Sequence, residues 1–152
     1  MAQHELIGRD DEVARLEGAL EEGARGPVAV LLEGEPGIGK TSLWRATLTT
    51  AATRGARVLR ASPAGTEADL SYGTVADLMG DALPEVEGDL PAPQRRALRV
   101  ALLEEDAGGV GVDDRAVGAA LLGSLRLLAR RCAVVVGIDD LQWLDGASGA
   151  AL

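Results

Sequence analysis

Apolar residues recur at helical spacing in the first third of the chain, stop, and return as a short continuous block. In DDEVARLEGALEEG, Val13, Leu16 and Leu20 fall on one stripe, and Asp10, Asp11 and Glu12 crowd the first turn, where a helix dipole favours anions. This predicts a helix closed by Gly23, Gly26 and Pro27. VAVLLE follows, apolar on both faces, rich in β-branched residues and stopped by Gly34, as a strand buried between helices reads. Leu43, Ala46, Thr47 and Leu48 then suit a helix from Lys40 to about Thr53, and RGARVLRAS gives a second short strand after a glycine turn. SYGTVADLMGDAL carries Val75, Leu78, Met79 and Leu83 at helical spacing, and PEVEGDLPAP reads as a loop between helices. RRALRVALLEE and DDRAVGAALLGSLRLLARR read as helices, the second with Val117, Leu121, Leu125 and Leu128 on one stripe. Residues 133–138 of CAVVVGIDD form a third apolar strand that ends in two aspartates.

The predicted order gives a βαβ unit, so the expected fold class is α/β with a parallel sheet. Composition narrows this little: 47% hydrophobic and 26% charged residues in 152 make a globular chain, with Phe absent and the core left to Leu, Val, Ile and Ala. Charge narrows it more. The net charge is −9 and no basic block exceeds the pairs Arg95-Arg96 and Arg130-Arg131, which argues against a nucleic-acid surface on this segment. The polar, acidic start and the lack of a long uncharged apolar run argue against a secretion signal or membrane span, and the expected location is the cytoplasm. A single cysteine, Cys132, can form neither an internal disulfide nor a multi-thiolate metal site, and is expected to pack as a small hydrophobe.

Lys40 is the only lysine; every other basic residue is arginine. It closes Gly34-Glu35-Pro36-Gly37-Ile38-Gly39-Lys40-Thr41, which fits G-x-x-x-x-G-K-[ST] and lies between an expected strand and an expected helix, where that pattern works. The glycines let backbone N–H groups curl inward, the helix N-terminus adds free N–H groups, and a slim ammonium can reach β- and γ-phosphates as a broad guanidinium cannot. The phosphate-binding candidates are therefore Gly34 through Ser42, with the Thr41 hydroxyl as an oxygen ligand for Mg²⁺. The second half of such a site is an apolar strand ending in an acid. Asp139 is the expected metal-side carboxylate and Asp140 the candidate catalytic residue that positions the attacking water.

Taken together, LIGRDDEVARLEGAL, LLEGEPGIGKTSL, GARVLRASP, SYGTVADLM and VVVGIDDLQWLDGAS resemble, in order and wording, the ATPase domain of large ATP-binding LuxR-type transcriptional regulators. Those are signal-transduction NTPases related to AAA+ and Orc-like ATPases, and the resemblance covers essentially the whole chain. It implies the three-layer α/β/α form of P-loop NTPases, ATP or ADP as the nucleotide, slow hydrolysis as a switch, and an adenine-side contact from Ile7, Gly8 and Arg9. It also implies a full-length chain with a lid, a sensor and a helix-turn-helix DNA reader, able to form a nucleotide-dependent oligomer. Residues 1–152 then read as the N-terminal part of a P-loop ATPase domain, with the phosphate-loop strand, second strand and Walker B strand present and later strands and lid absent. In the family order a later strand lies between VAVLLE and the Walker B strand, so the resemblance implies a gap about one strand wide there, and a direct ladder between the two would contradict it. The phosphate loop alone would also serve a nucleoside or small-molecule kinase, or an interaction module that holds nucleotide without hydrolysing it. Trp44 and Trp143 are expected to pack rather than to stack on adenine, and Tyr72 to do no more than pack.

Overall fold

The computed structural model describes residues 8–66, 71–108 and 113–152. Helix α1 (Asp10–Gly23) buries Leu16, with the three acidic residues in its first turn. Helix α2 (Lys40–Thr53) buries Leu43, Leu48 and Ala51. Strand β1 (Arg57–Ala61) follows a turn at Gly55 and runs parallel to β2 (Val134–Ile138), in the register Arg57↔Val134 through Ala61↔Ile138. Between them in sequence come α3 (Gly73–Met79), α4 (Leu83–Val86), α5 (Ala92–Ala101) and α6 (Asp114–Ala129); α7 (Gly146–Ala151) follows β2. This is the expected α/β chemistry, with a parallel sheet of two strands among the described residues.

The two faces of that sheet are covered differently. Leu59, Ala61, Val134 and Ile138 face the main core, which includes Val75, Met79, Leu98, Val117 and Leu128, all at most 3% exposed where buried. The stripe predicted for α6 supplies three of its wholly buried side chains, Val117, Leu121 and Leu128, and Leu125 packs against them half-buried. On the opposite face α2 presses so closely that a Cβ at Gly137 would stand 2.8 Å from both Leu48 Cδ1 and Trp44 Nε1. Glycine is needed there because the helix occupies the space of a side chain, and α2 is thereby held against the strand that ends in Asp139.

Two expectations need correction. PEVEGDLPAP is no loop: it holds α4 after its first residue, a 3₁₀ turn at Glu87–Asp89 and the start of α5, and buries Val86 and Leu90. Those positions follow helical spacing, which the prolines and acids around them mask; Pro84 sits in the first helical turn, where its missing N–H costs nothing. Glu87 accepts from Arg99 Nε at 3.0 Å and Nη2 at 2.6 Å, a fork that ties this segment to α5. The second correction concerns VAVLLE. Residues 28–33 form no ladder, and Val30 and Leu31 are 55% and 64% exposed. They lie instead across a cavity of about 550 Å³ from β2, both lining its walls. A ladder needs a partner strand, and β2 pairs with β1 alone among the described residues. The direct pairing of 28–33 with 134–138 that would contradict the expected gap is thus not formed.

Candidate functional site

The turn from Gly34 leads straight into α2. Gly37 and Gly39 take φ of +79° and +99°, left-handed conformations that side chains with a Cβ rarely adopt, and Gly39 is the N-cap of α2. Ile38 N–H donates to Glu35 O at 3.3 Å, closing the turn, and the first helical bond runs from Leu43 N to Gly39 O at 3.1 Å. The N–H groups of Lys40, Thr41 and Ser42 precede that first bond and have no intrahelical acceptor, and no side chain among the described residues caps the helix. Lys40 Nζ donates to Gly34 O at 2.8 Å and Glu35 O at 3.1 Å, so the ammonium folds back over the loop that carries it. Gly34 through Ile38 and Ser42 are exposed; Gly39, Lys40 and Thr41 are half-buried.

The aspartates stand at the end of the sheet. Asp139 N–H donates to Ala61 O at 3.1 Å, which carries the β1–β2 ladder one residue further and fixes the backbone under its half-buried carboxylate. Asp140 then turns left-handed at φ +49°, a conformation aspartate tolerates better than most residues, and is exposed. Its N–H donates to Asp139 Oδ1 at 3.1 Å, and its own Oδ1 accepts from Gln142 Nε2 at 2.9 Å. The chain therefore aims the two carboxylates differently, as their adjacent places at a strand end require. Lys40, Asp139 and Asp140 line the same cavity, with Trp44 and Gly137. Of residues 34–42, Lys40 shares this cavity with the two aspartates, and Thr41 lies one residue along α2 from it.

On the adenine side, Ile7 lies outside the described residues. Gly8 is exposed at φ +71°. Arg9 starts α1, its carbonyl accepting from Val13 N at 2.9 Å, and its guanidinium reaches across to the phosphate loop, Nη2 donating to Ile38 O at 2.6 Å. Nη1 is held by Glu12 at 2.6 Å. The Arg9 side chain thereby holds the Glu12 carboxyl below its ordinary range.

Asp145 was not singled out by any motif, yet it anchors the segment that follows the two aspartates. It is 4% exposed and caps α7, its Oδ1 accepting from Ser148 N at 2.8 Å and Tyr72 N at 2.9 Å, while Oδ2 accepts from Thr74 N at 3.1 Å. Burial pushes its pKa up, but the bonds from Ser148, Thr74 and Tyr72 outweigh burial and leave it lowered. Ser148 Oγ in turn accepts from Val75 N at 3.1 Å. Tyr72 also does more than pack: it enters α3 at φ +63° and its hydroxyl donates to Asp114. Burial and that acidic partner raise the phenol above its ordinary range. The cue for Asp145 was D-G-A-S, an N-cap pattern too short to stand out among many acidic residues.

A Mg²⁺ ion prefers oxygen ligands, keeps several waters, and is usually held by one or two protein oxygens together with substrate phosphates. Among the described residues no group of three or more His, Cys, Asp or Glu side chains could hold a metal unaided. Asp139 lines the cavity and Thr41 follows Lys40 on α2; a carboxylate and a hydroxyl are the oxygen donors that the phosphate-assisted kind uses. No helix among the described residues is long and apolar enough to cross a membrane.

No curated protein and no solved structure matches the chain. The AAA ATPase domain family matches over residues 5–152, from the segment before α1 through α7. With a Gly-rich turn feeding an uncapped helix, a strand ending in acids beside it, and a match spanning nearly its full length, the chain belongs to the AAA ATPase domain family, a nucleotide-binding family, and has an α/β fold of the P-loop type with an incomplete sheet.

Proposed function

We propose that this domain binds ATP with Mg²⁺ at the loop from Gly34 to Ser42 and acts as a nucleotide-dependent switch within a LuxR-type transcriptional regulator. The observation that carries the nucleotide reading is the start of α2: free N–H groups, no capping side chain, and Lys40 facing the cavity that Asp139 and Asp140 also line. Triphosphate oxygens would accept from the N–H groups of Lys40, Thr41 and Ser42 and draw Lys40 Nζ away from the Gly34 and Glu35 carbonyls. Thr41 and Asp139 would hold Mg²⁺, which when bound neutralises charge on the phosphates. In hydrolysis, water attacks the γ-phosphorus, the bond to the bridging oxygen breaks, and ADP and inorganic phosphate leave. Asp140 orients that water, and Gln142 holds the Asp140 carboxylate in place. The switch role rests on the sequence resemblance; lid, sensor and DNA reader would be its intramolecular partners in a longer chain, and a nucleotide-dependent oligomer its output.

Calorimetric titration of ATP and Mg²⁺ tests the site. Lys40→Ala is expected to weaken binding roughly 10-fold or more, because a charge-assisted contact contributes about 1.5 to 3 kcal/mol. Equal affinities in the two forms would remove the phosphate site. In the same titrations Asp139→Asn lowers Mg²⁺-dependent binding more than Asp140→Asn does, and Asp140→Asn mainly slows single-turnover hydrolysis. The reverse order would exchange the roles of the two acids.

A further inference from the structure

Ile38 is flanked by Gly37 and Gly39, both left-handed. Glycine at 39 removes the Cβ that would otherwise restrict φ, so the peptide plane between Ile38 and Gly39 has little local reason to keep one orientation. Its orientation matters, because a trans peptide holds its C=O and N–H pointing in opposite directions. If the Ile38 carbonyl faces outward, the Gly39 N–H faces the other way, toward the cradle formed with the N–H groups of Lys40, Thr41 and Ser42. Turned over, the same peptide would present a carbonyl oxygen there and repel an anion.

One side chain outside the loop grips that carbonyl. Arg9 Nη2 donates to Ile38 O at 2.6 Å across 29 positions of sequence, and Glu12 Oε1 holds the neighbouring Nη1 at 2.6 Å. Two arms of one planar fork are thus fixed to two partners, and a guanidinium so held cannot rotate without breaking both bonds. Arg9 and Glu12 are one turn apart at the start of α1, so their pairing needs no long-range support. Lowering of the Glu12 pKa by this contact is in keeping with a persistent pair.

We propose that Arg9 is a positioning residue for the phosphate loop, oriented by Glu12, which fixes the Ile38–Gly39 peptide so that Gly39 N–H is directed to bound phosphate. This rests on the loop being a phosphate site and departs from the adenine contact that the sequence resemblance assigns to Arg9. The two assignments differ in what they ask of the ligand. A positioning role acts on any polyphosphate; an adenine contact acts only where a base is present.

Titration of two probes, Mg²⁺-ATP and Mg²⁺-tripolyphosphate, into the whole chain separates them. Arg9→Met keeps the apolar stem and removes the donors. It is expected to weaken both probes by the same factor, roughly 3- to 10-fold for a charge-assisted bond acting at one remove. Arg9→Lys recovers part of that loss for both probes in step, and Glu12→Gln gives a smaller loss, again shared. Arg9 is half-exposed, and its variants are expected to unfold at the wild-type midpoint, which distinguishes positioning from general destabilisation. Loss confined to ATP returns Arg9 to the adenine and overturns the proposal, as does unchanged binding of both probes. Failure of the phosphate site itself shows separately, with Arg9 intact, as Lys40→Ala binding tripolyphosphate as well as wild type; that result overturns both readings.

Discussion

Two helices in this protein begin in opposite ways. At α7 the chain supplies its own anion: Asp145 is buried, accepts from Ser148 N, and spends its remaining lone pairs on the N–H groups of Tyr72 and Thr74 at the start of α3. One carboxylate thus closes two helix starts and pins the segment after Asp139 and Asp140 to the main core. At α2 no side chain among the described residues caps the helix, the residue at its start is a left-handed glycine, and the first helical residue is a cation, Lys40. Both ends carry the same positive partial charge. Where the role is architectural the charge is met from within; where the motif calls for phosphate it is left to be met from outside.

The largest test of that contrast removes the internal anion. Asp145→Ala strands three buried N–H donors at about 1 to 3 kcal/mol each, and is expected to cost about 3 kcal/mol or more in urea unfolding. A loss under about 1 kcal/mol would mean that water reaches this corner as freely as it reaches α2.

Acid titration gives an intermediate effect. The Asp145 pKa is lowered in the folded state, so its contribution is full above the ordinary aspartate value of 3.8 and is lost as pH falls through the lower folded value. Unfolding free energy should therefore drop on the acid side in wild type, and Asp145→Asn should flatten that drop. An unchanged acid slope would assign the loss to other carboxylates.

The smallest effect comes from giving α2 the anion it lacks. Ser42→Glu places a carboxylate in the exposed first turn and is expected to raise stability by about 0.3 to 1 kcal/mol through the helix dipole. It should weaken ATP binding at the same time, as the added charge repels phosphate. A variant that gained stability and kept full affinity would break the link between the uncapped helix and the ligand.

Helices α1, α2, α5 and α6 were legible because their apolar spacing is carried by residues that are in fact buried, such as Leu16, Leu48, Leu98 and Val117. The glycine turn that enters α2 and the two aspartates at the end of β2 were placed correctly because that turn needs left-handed glycines and the apolar run before the acids is plain. What was hidden had other causes. Val86 and Leu90 lay among prolines and acids whose composition suggested a loop. Residues 28–33 have the letters of a strand, but pairing depends on what lies beside them, which local pattern cannot reveal. The reach of Arg9 to Ile38 and of Asp145 to Tyr72 joins residues far apart in sequence, and neither end marks itself as waiting for the other.

The close approach of α2 to Gly137 also has an optical consequence. The chain has no phenylalanine and one tyrosine, so its near-ultraviolet absorption and emission come almost wholly from Trp44 and Trp143. Trp44 rests against Gly137 with its Nε1 buried and without a hydrogen-bond partner among the described residues, on the helix that begins at Lys40. Trp143 is 46% exposed, three residues after Asp140, its ring 3.2 Å from where a Cβ on Gly65 would stand. The two indoles therefore report on different places, one on the wall of the cavity between α2 and β2 and the other on the exposed turn beyond the aspartates. A change in the fit of α2 against β2 shifts the first; a change in the turn beyond the aspartates shifts the second. Single Trp→Phe variants would let the two signals be followed separately without adding a label.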